Sequence, residues 1–158
     1  MTGNAILFWA FAIGVVAGLR SLTAPAAVAW AAHRQWLTLV GTPLAFMGSL
    51  PALIIFVALA IVELVADKLP SAPARTAPVG LGARIVTGAL SGACVAVGAG
   101  RSLPLGAVLG AVGGVVGAFA GYEARTLAVT ALGVKDYFVA VAEDIVAIGA
   151  AVLILFRS

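Results

Sequence analysis

The chain has 158 residues, of which 63% are hydrophobic and 9% are charged, and its formal net charge is +3. Soluble domains carry about 45–50% apolar and about 25% charged residues, so nine basic and six acidic side chains are too few for a polar surface. This composition excludes a soluble enzyme, a nucleic-acid-binding module and a disordered chain. It predicts a single integral membrane domain over residues 1–158.

Six apolar segments follow one another along the chain, separated by polar or glycine- and proline-containing breaks. A membrane-spanning helix needs about 20 apolar residues, and in lipid its backbone groups must bond within the segment. We therefore predict an all-α, multi-pass transmembrane helical bundle of five to six membrane segments. The predicted segments cover residues 5–19, 21–36, 50–69, 79–99, 103–121 and 136–157.

The first two segments are short, at about 15 residues each, and leave three arrangements open. They could form one long helix kinked near Pro25, a hairpin of two short spans, or a span followed by a re-entrant half-helix. If the second segment turns back, the basic residues divide six to three, which places the larger group in the cytoplasm and both termini outside. The larger group is Arg20, Lys68, Arg75, Arg84, Arg125 and Lys135, and the smaller is Arg34, Arg101 and Arg157. We favour this arrangement, because a single first span divides the residues four to five and suits a dual-topology protein.

Glycines recur every four residues in several segments, as at Gly14 and Gly18 and again at Gly106, Gly110 and Gly114. Such spacing lets helix backbones approach closely in lipid, so it predicts glycine-rich helix packing. We expect these close contacts either between helices of one chain or between helices of two copies of the chain. Because so small a chain encloses a pathway poorly by itself, we expect a homo-oligomer, with a dimer favoured.

Two pairs of similar stretches suggest an internal repeat. Residues 20–22 and 125–127 read RSL and RTL, and residues 56–60 and 138–142 read FVALA and FVAVA ahead of Glu63 and Glu143. Duplicated halves are common in secondary transporters, often with inverted topology.

Several charged residues lie within the apolar segments, where each costs roughly 2.5–3.5 kcal/mol on insertion scales and usually faces a bundle interior. Glu63 is about 9 Å inside the third segment, and Glu143 and Asp144 are about 11 Å inside the sixth. The third segment ends on the side of the membrane where the sixth begins, so we expect these carboxylates to lie at a similar depth. We predict a polar cluster of Glu63, Asp67, Arg84, Glu143 and Asp144, with Arg20, Glu123 and Arg125 at its edge.

Three interpretations of this cluster are open: a structural ion-pair network, a pathway for a solute or ion, or a site for a lipid phosphate. Glu143 and Asp144 point about 100° apart on a helix, so we expect one of them to be functional and the other structural. The sequence has no metal-ligand pair of histidines, no nucleophile motif and no phosphate loop. We therefore expect no catalytic residue, no metal and no cofactor, and we do not expect an enzyme.

Four stretches resemble a small bacterial inner-membrane family of unknown function, the DUF4126 domain family. They are residues 18–25 (GLRSLTAP), 63–70 (ELVADKLP), 121–125 (GYEAR) and 143–144 (ED). The resemblance implies a bacterial inner-membrane protein and brings no activity with it. From the charges we expect a transporter or channel-like protein for a small or ionic solute. The alternative is a non-transporting protein that binds a lipid headgroup or a partner helix, with the charges as structural ion pairs.

Overall fold

A computed structural model describes residues 3–68, 77–133 and 136–157. These residues form six α-helices and one 3-10 turn, with no β-strand among them. The helices are α1 (Gly3–Leu19), α2 (Thr23–His33), α3 (Leu50–Ala66), α4 (Pro78–Gly98), α5 (Leu103–Leu132) and α6 (Asp136–Arg157), and the turn covers Ala45–Gly48. Three helices, α4 to α6, are long and apolar enough to cross a membrane, and α1 and α3 are shorter apolar helices. The prediction of an all-helical, membrane-type protein is thus confirmed for the described residues.

Local sequence signals set several helix boundaries. The Ser49 hydroxyl accepts a hydrogen bond from the backbone N–H of Ala52 at 3.3 Å and so caps α3. Pro51, Pro78 and Pro104 each lie in the first turn of a helix, where the missing N–H has no partner to lose. These starts follow from residue types that are visible in the sequence.

Helix α5 is longer than the predicted fifth segment, because it continues from residue 121 to Leu132. The sequence has no proline or glycine between Gly121 and Gly133. The polar residues in this stretch end the apolar segment, but they do not end the helix. The helix ends at Gly133, whose φ of 61° is a left-handed conformation that glycine adopts without a steric penalty. The polar residues after Gly121 thus mark the end of the apolar segment, and Gly133 marks the end of the helix.

Helices α1 and α5 pack closely and run in the same direction. Gly14 lies against Gly110 and Gly18 lies against Gly114, so the contact advances along both helices together. A Cβ atom added at Gly14 would lie 2.2 Å from the carbonyl oxygen of Gly110, which is far inside van der Waals contact. Any larger residue at this position would force the two backbones apart.

Helix α4 packs on the same surface of α5 in the opposite direction. Gly88 lies against Gly110 and Gly92 lies against Gly106. Helices α1, α4 and α5 make the most extensive helix contacts among the described residues. They form a tight three-helix unit, on which α2, α3 and α6 assemble.

Helix α2 folds back after α1 instead of continuing it. The N-terminal end of α2 contacts Glu63 near the C-terminal end of α3. At its other end, His33 Nδ1 lies 3.0 Å from the carbonyl oxygen of Gly48, just before α3 begins. Helices α1 and α2 therefore form a helical hairpin and not one long kinked helix, with the break at residues 20–22 and Pro25 inside α2. With 11 residues, α2 is about 16 Å long, close to half of a ~30 Å hydrocarbon core.

The hairpin places the α1–α2 break at the same end of the bundle as the end of α3, the start of α4, the end of α5 and the start of α6. We call this the break end, and the end with residues 34–49 the loop end. The described basic residues of the larger predicted group, Arg20, Lys68, Arg84 and Arg125, all lie toward the break end. Arg75 and Lys135 fall outside the described residues, and the cytoplasmic location of the break end stays a prediction.

The helix directions give the predicted internal repeat no support. Helices α1 and α5 run in parallel, as their glycine contacts require. Helix α3 ends at the break end, whereas α6 begins there, so those two helices run in opposite directions. No single rotation can relate α1 to α5 and also α3 to α6.

Candidate functional site

The break between α1 and α2 leaves backbone N–H groups at the start of α2 that need partners. Glu63 of α3 supplies them. Its Oε1 accepts hydrogen bonds from the backbone N–H of Ser21 at 2.8 Å and the Ser21 hydroxyl at 2.6 Å, and its Oε2 accepts one from the N–H of Leu22 at 2.8 Å. Glu63 thus caps α2 from a neighbouring helix, and its negative charge matches the positive end of the α2 dipole.

Arg20, within this break, is completely buried, with 0% of its surface exposed. One of its terminal nitrogens bonds the carboxylate of Asp67, and the other lies 2.5 Å from Asp144 Oδ1. The second contact is close but poorly directed for a hydrogen bond, so we count it as an ion pair. The Nε of Arg20 has no hydrogen-bond partner among the described residues.

Lys68 completes the group from the end of α3. Its ammonium lies 2.7 Å from Asp144 Oδ2 and donates to the Leu64 carbonyl oxygen at 2.8 Å. Asp144 therefore lies between two cations, Arg20 and Lys68. We call Arg20, Glu63, Asp67, Lys68 and Asp144 the Arg20 cluster.

Arg84 borders the Arg20 cluster and binds backbone oxygens. Its Nε donates to the carbonyl oxygen of Gly18 and its Nη1 to that of Gly80, both at 3.0 Å. The Gly18 carbonyl belongs to the last turn of α1, where carbonyl groups lack helical partners and a cation is favoured. Arg84 therefore stabilises the end of α1 while Glu63 stabilises the start of α2.

The charges around the break balance. Three carboxylates, Glu63, Asp67 and Asp144, lie near three cations, Arg20, Lys68 and Arg84. Solvent reaches them unequally, because 24% of the Asp67 side chain and 23% of the Lys68 side chain are exposed, against 11% for Asp144 and none for Arg20.

A second group of charges, the Arg125 cluster, joins α5 to the first turns of α6. The Arg125 guanidinium binds Asp136 through two parallel hydrogen bonds of 2.7 and 2.5 Å, and its Nη1 lies 3.9 Å from Glu143 Oε2. Such a forked pair fixes both position and orientation. Arg125 and Glu143 also line an otherwise apolar groove of about 410 Å³ between α1, α5 and α6.

The structure divides the predicted polar cluster in two. Glu63, Asp67 and Asp144 do come together, and Arg84 lies beside them. Glu143 belongs to the Arg125 cluster instead, because it points away from its neighbour Asp144 on α6, and Glu123 is exposed outside both groups.

Arg20 was expected at the edge of the cluster and lies at its centre. Its position depends on the α1–α2 break being buried by α3 and α6, which nothing local to Arg20 indicates. Lys68 and Asp136 were not assigned to the site at all. The signal that could have found Lys68 is a basic residue directly after the end of α3. For Asp136 it is an acidic residue in the first turn of α6.

Metal ligation has no basis in the described residues, among which no three histidine, cysteine, aspartate or glutamate side chains are grouped so that they could hold an ion. What the arrangement can do chemically is exchange protons at carboxylates, bind ions and hold helix ends.

Comparison with known proteins gives one match. No curated protein and no solved structure matches the chain. The model of a family described as a domain of unknown function, DUF4126, matches residues 7–157. Because this match covers nearly the whole chain, including both clusters, the protein belongs to the DUF4126 family.

Proposed function

We propose that this protein transports a small ion or an ion-coupled solute across the bacterial inner membrane, with the Arg20 cluster as its site. The observation that carries the proposal is a helix break occupied by ionisable side chains in a membrane-type protein. Ionisable residues within membrane segments mark ion and solute pathways in many transporters. Interrupted helices, whose free ends face charged groups, are a recurrent way to build such sites.

The chemistry of the proposal centres on protons at the carboxylates. While Glu63 is ionised, it holds Ser21 and Leu22 at the start of α2. Protonation would remove the charge that α2 favours and weaken these hydrogen bonds, which frees the N-terminal end of α2 for an anionic group of a solute. Asp67, the more exposed carboxylate, would pass protons between water and the buried groups.

The test is a flux assay on purified protein in liposomes that contain a pH-sensitive dye, under an imposed membrane potential. We expect proton flux above that of protein-free liposomes, and a loss of at least about tenfold in Asp67→Asn, as for an essential proton carrier. Glu123→Gln is the matched control, because Glu123 is exposed outside both clusters, and it should retain full flux. Flux that equals the protein-free rate would contradict the proposal.

A second function, in which the charges are structural and the protein binds a partner helix, is favoured by the burial of Arg20 and by the balanced charges around it. In that case Asp67→Asn lowers stability without any flux to lose. We also propose a homodimer as the assembly. Much of α3 is exposed, including Ile54, Ile61 and Val65, and a second copy could cover that face. A purely monomeric mass after lipid-preserving solubilisation would contradict the dimer.

A further inference from the structure

Helix α3 lies at the edge of the bundle. Among the described residues it packs mainly on α2 and on the 3-10 turn at Ala45–Gly48, and it makes few contacts with any other helix. On its α6 side, an apolar groove of about 330 Å³ over α2 separates the two helices. Its outer face is open, as the exposed side chains of Ile55 and Val62 show. Helix α3 therefore lacks the close backbone packing at glycines that joins α1, α4 and α5.

The loop end of α3 is anchored by apolar packing and by hydrogen bonds of the backbone. Met47, in the turn before the helix, is completely buried in the core. The next residue, Gly48, places its carbonyl oxygen 3.0 Å from His33 Nδ1 at the end of α2. Ser49 then caps the helix through the N–H of Ala52. Because none of these contacts involves a carboxylate, this end stays in place whether or not the acidic residues are ionised.

The break end of α3 is held by charged side chains instead. Glu63 accepts two backbone hydrogen bonds of 2.8 Å from the α1–α2 break. Asp67 bonds the Arg20 guanidinium. Lys68, directly after the helix, pairs with Asp144 of α6 at 2.7 Å. Two of these three links depend on an ionised carboxylate that belongs to α3 itself.

Protonation of these two carboxylates would weaken both links. Hydrogen bonds to a charged acceptor are roughly twice as strong as those to a neutral one, so neutral Glu63 would hold the N–H groups of Ser21 and Leu22 less firmly. Neutral Asp67 would leave Arg20 with Asp144 as its remaining carboxylate.

The neighbouring charges favour the same movement. Lys68 pairs with the same Asp144, so two cations would then share one carboxylate. The other charged groups nearby are also cations, Arg84 of α4 and, at longer range from Asp67, Arg125 of α5. Because like charges repel, the end of α3 that carries Lys68 would be drawn less strongly to the break once its carboxylates are neutral.

We infer that α3 is a gate over the start of α2, which turns about its loop end. Ionised Glu63 and Asp67 hold the gate closed, and their protonation releases it. Helices α1, α4 and α5 stay fixed while it moves. Opening uncovers Arg20 and the N–H groups of the break on the side of the groove. The inference rests on the proposed function for its trigger, the protonation of Glu63, but the movement is measured as a distance and not as a flux.

Distances between spin labels in lipid nanodiscs test the gate. In a Cys94→Ser protein, a label at Val86→Cys on α4 is paired with one at Val62→Cys or at Ile55→Cys on α3, and all three positions are exposed. Dilution with unlabelled protein keeps each measured pair within one chain. Along the helix, Val62 is about 18 Å and Ile55 about 8 Å from Leu50 at the loop end, so Val62 should move about twice as far as Ile55.

Neutral variants reproduce the protonated state. Glu63→Gln alone, and more strongly Glu63→Gln combined with Asp67→Asn, should lengthen the distance from α4 to Val62 at neutral pH. Acidification should do the same to the protein that keeps both carboxylates. Glu143→Gln, in the Arg125 cluster of α5 and α6, is the matched control and should leave this distance unchanged.

A pair of labels at Val86→Cys on α4 and Val108→Cys on α5, both exposed, should keep one distance in every variant, which shows that the variant is folded. If the double variant fails this check, Glu63→Gln alone decides the outcome. A Val62 distance that stays constant in the folded Glu63→Gln protein would overturn the gate. Equal movement of Ile55 and Val62 would overturn the hinge, and a distance that acid leaves unchanged would overturn the protonation trigger.

The distance and the flux assay can fail independently. Movement of α3 in a protein without proton flux would contradict transport and support the gate. Flux through a protein whose α3 does not move would support transport and overturn the gate.

Discussion

At the scale of single residues, Glu63 accepts the backbone hydrogen bonds that the break between α1 and α2 would otherwise leave unpaired. The start of α2 has no side-chain cap of its own, and Glu63 provides one from another helix. The same break exposes Arg20 to two carboxylates. Sequence reasoning identified Glu63, Asp67 and Asp144 as members of one cluster, because charges in apolar segments at one depth attract each other. The sequence could not predict which of these side chains is the most buried, since burial depends on which helices cover the break.

The burial of Arg20 leads to a prediction about stability. Arg20→Met removes the counter-ion of Asp67 and one of the two cations beside Asp144, so we expect the free energy of unfolding to fall by about 3–5 kcal/mol. Arg101→Met, at an exposed arginine of the loop end, should change it by less than about 0.5 kcal/mol. The measurement is reversible unfolding of the purified protein in mixed micelles.

A second variant distinguishes the destabilisation caused by an unpaired buried charge from the net contribution of the ion pair to stability. Arg20→Met combined with Asp67→Leu removes one cation and one carboxylate and leaves Asp144 paired with Lys68. Much of the lost stability should return, because buried ion pairs and apolar replacements are often equivalent. If Arg20→Met is as stable as Arg101→Met, the cluster does not hold the helices together.

At the scale of helices, close approach at glycine positions decides how α1, α4 and α5 fit. Gly110 faces both neighbours, since Gly14 and Gly88 each lie against it. The four-residue spacing in the sequence pointed to close helix contacts. It could not say which glycine faces which helix, because that depends on the rotation and direction of each helix in the bundle.

Two glycines of similar local sequence but different surroundings form a matched test. A Cβ at Gly110 would lie 2.1 Å from the carbonyl oxygen of Gly88, whereas a Cβ at Gly149 of α6 would have no atom within 4 Å among the described residues. Gly110→Ala should therefore destabilise the protein by about 1–3 kcal/mol through overpacking. Gly149→Ala should stabilise it by about 0.5–1 kcal/mol, because alanine is the better helix former. Unfolding in mixed micelles measures both, and equal effects would contradict the packing.

At the scale of the whole molecule, the hairpin of α1 and α2 sets the direction of every later helix. It puts the described basic residues Arg20, Lys68, Arg84 and Arg125 toward one end, and Arg34, Arg101 and Arg157 toward the other. This is the division that the positive-inside rule converts into an orientation. We therefore expect the break end in the cytoplasm.

The orientation is tested with single cysteines in a Cys94→Ser protein, labelled in intact cells by a membrane-impermeant thiol reagent. Ser102→Cys, at the loop end, should react from outside, and Glu123→Cys, at the break end, only in inside-out vesicles; both positions are exposed. Labelling of both cysteines from both sides would instead indicate dual topology. The reverse pattern would show that the predicted orientation is wrong.

The sequence by itself determined the class of protein and the approximate position of each helix, because hydrophobicity and helix-start residues act within a few neighbouring positions. It also determined that charges would gather toward one end. Only the tertiary structure decided that Arg20 is the centre, that Glu143 and Asp144 serve different clusters, and that α3 and α6 leave a groove over α2. Those outcomes depend on helix direction and rotation, which are set by contacts between residues far apart in the chain, such as Ser21 with Glu63 and Gly14 with Gly110.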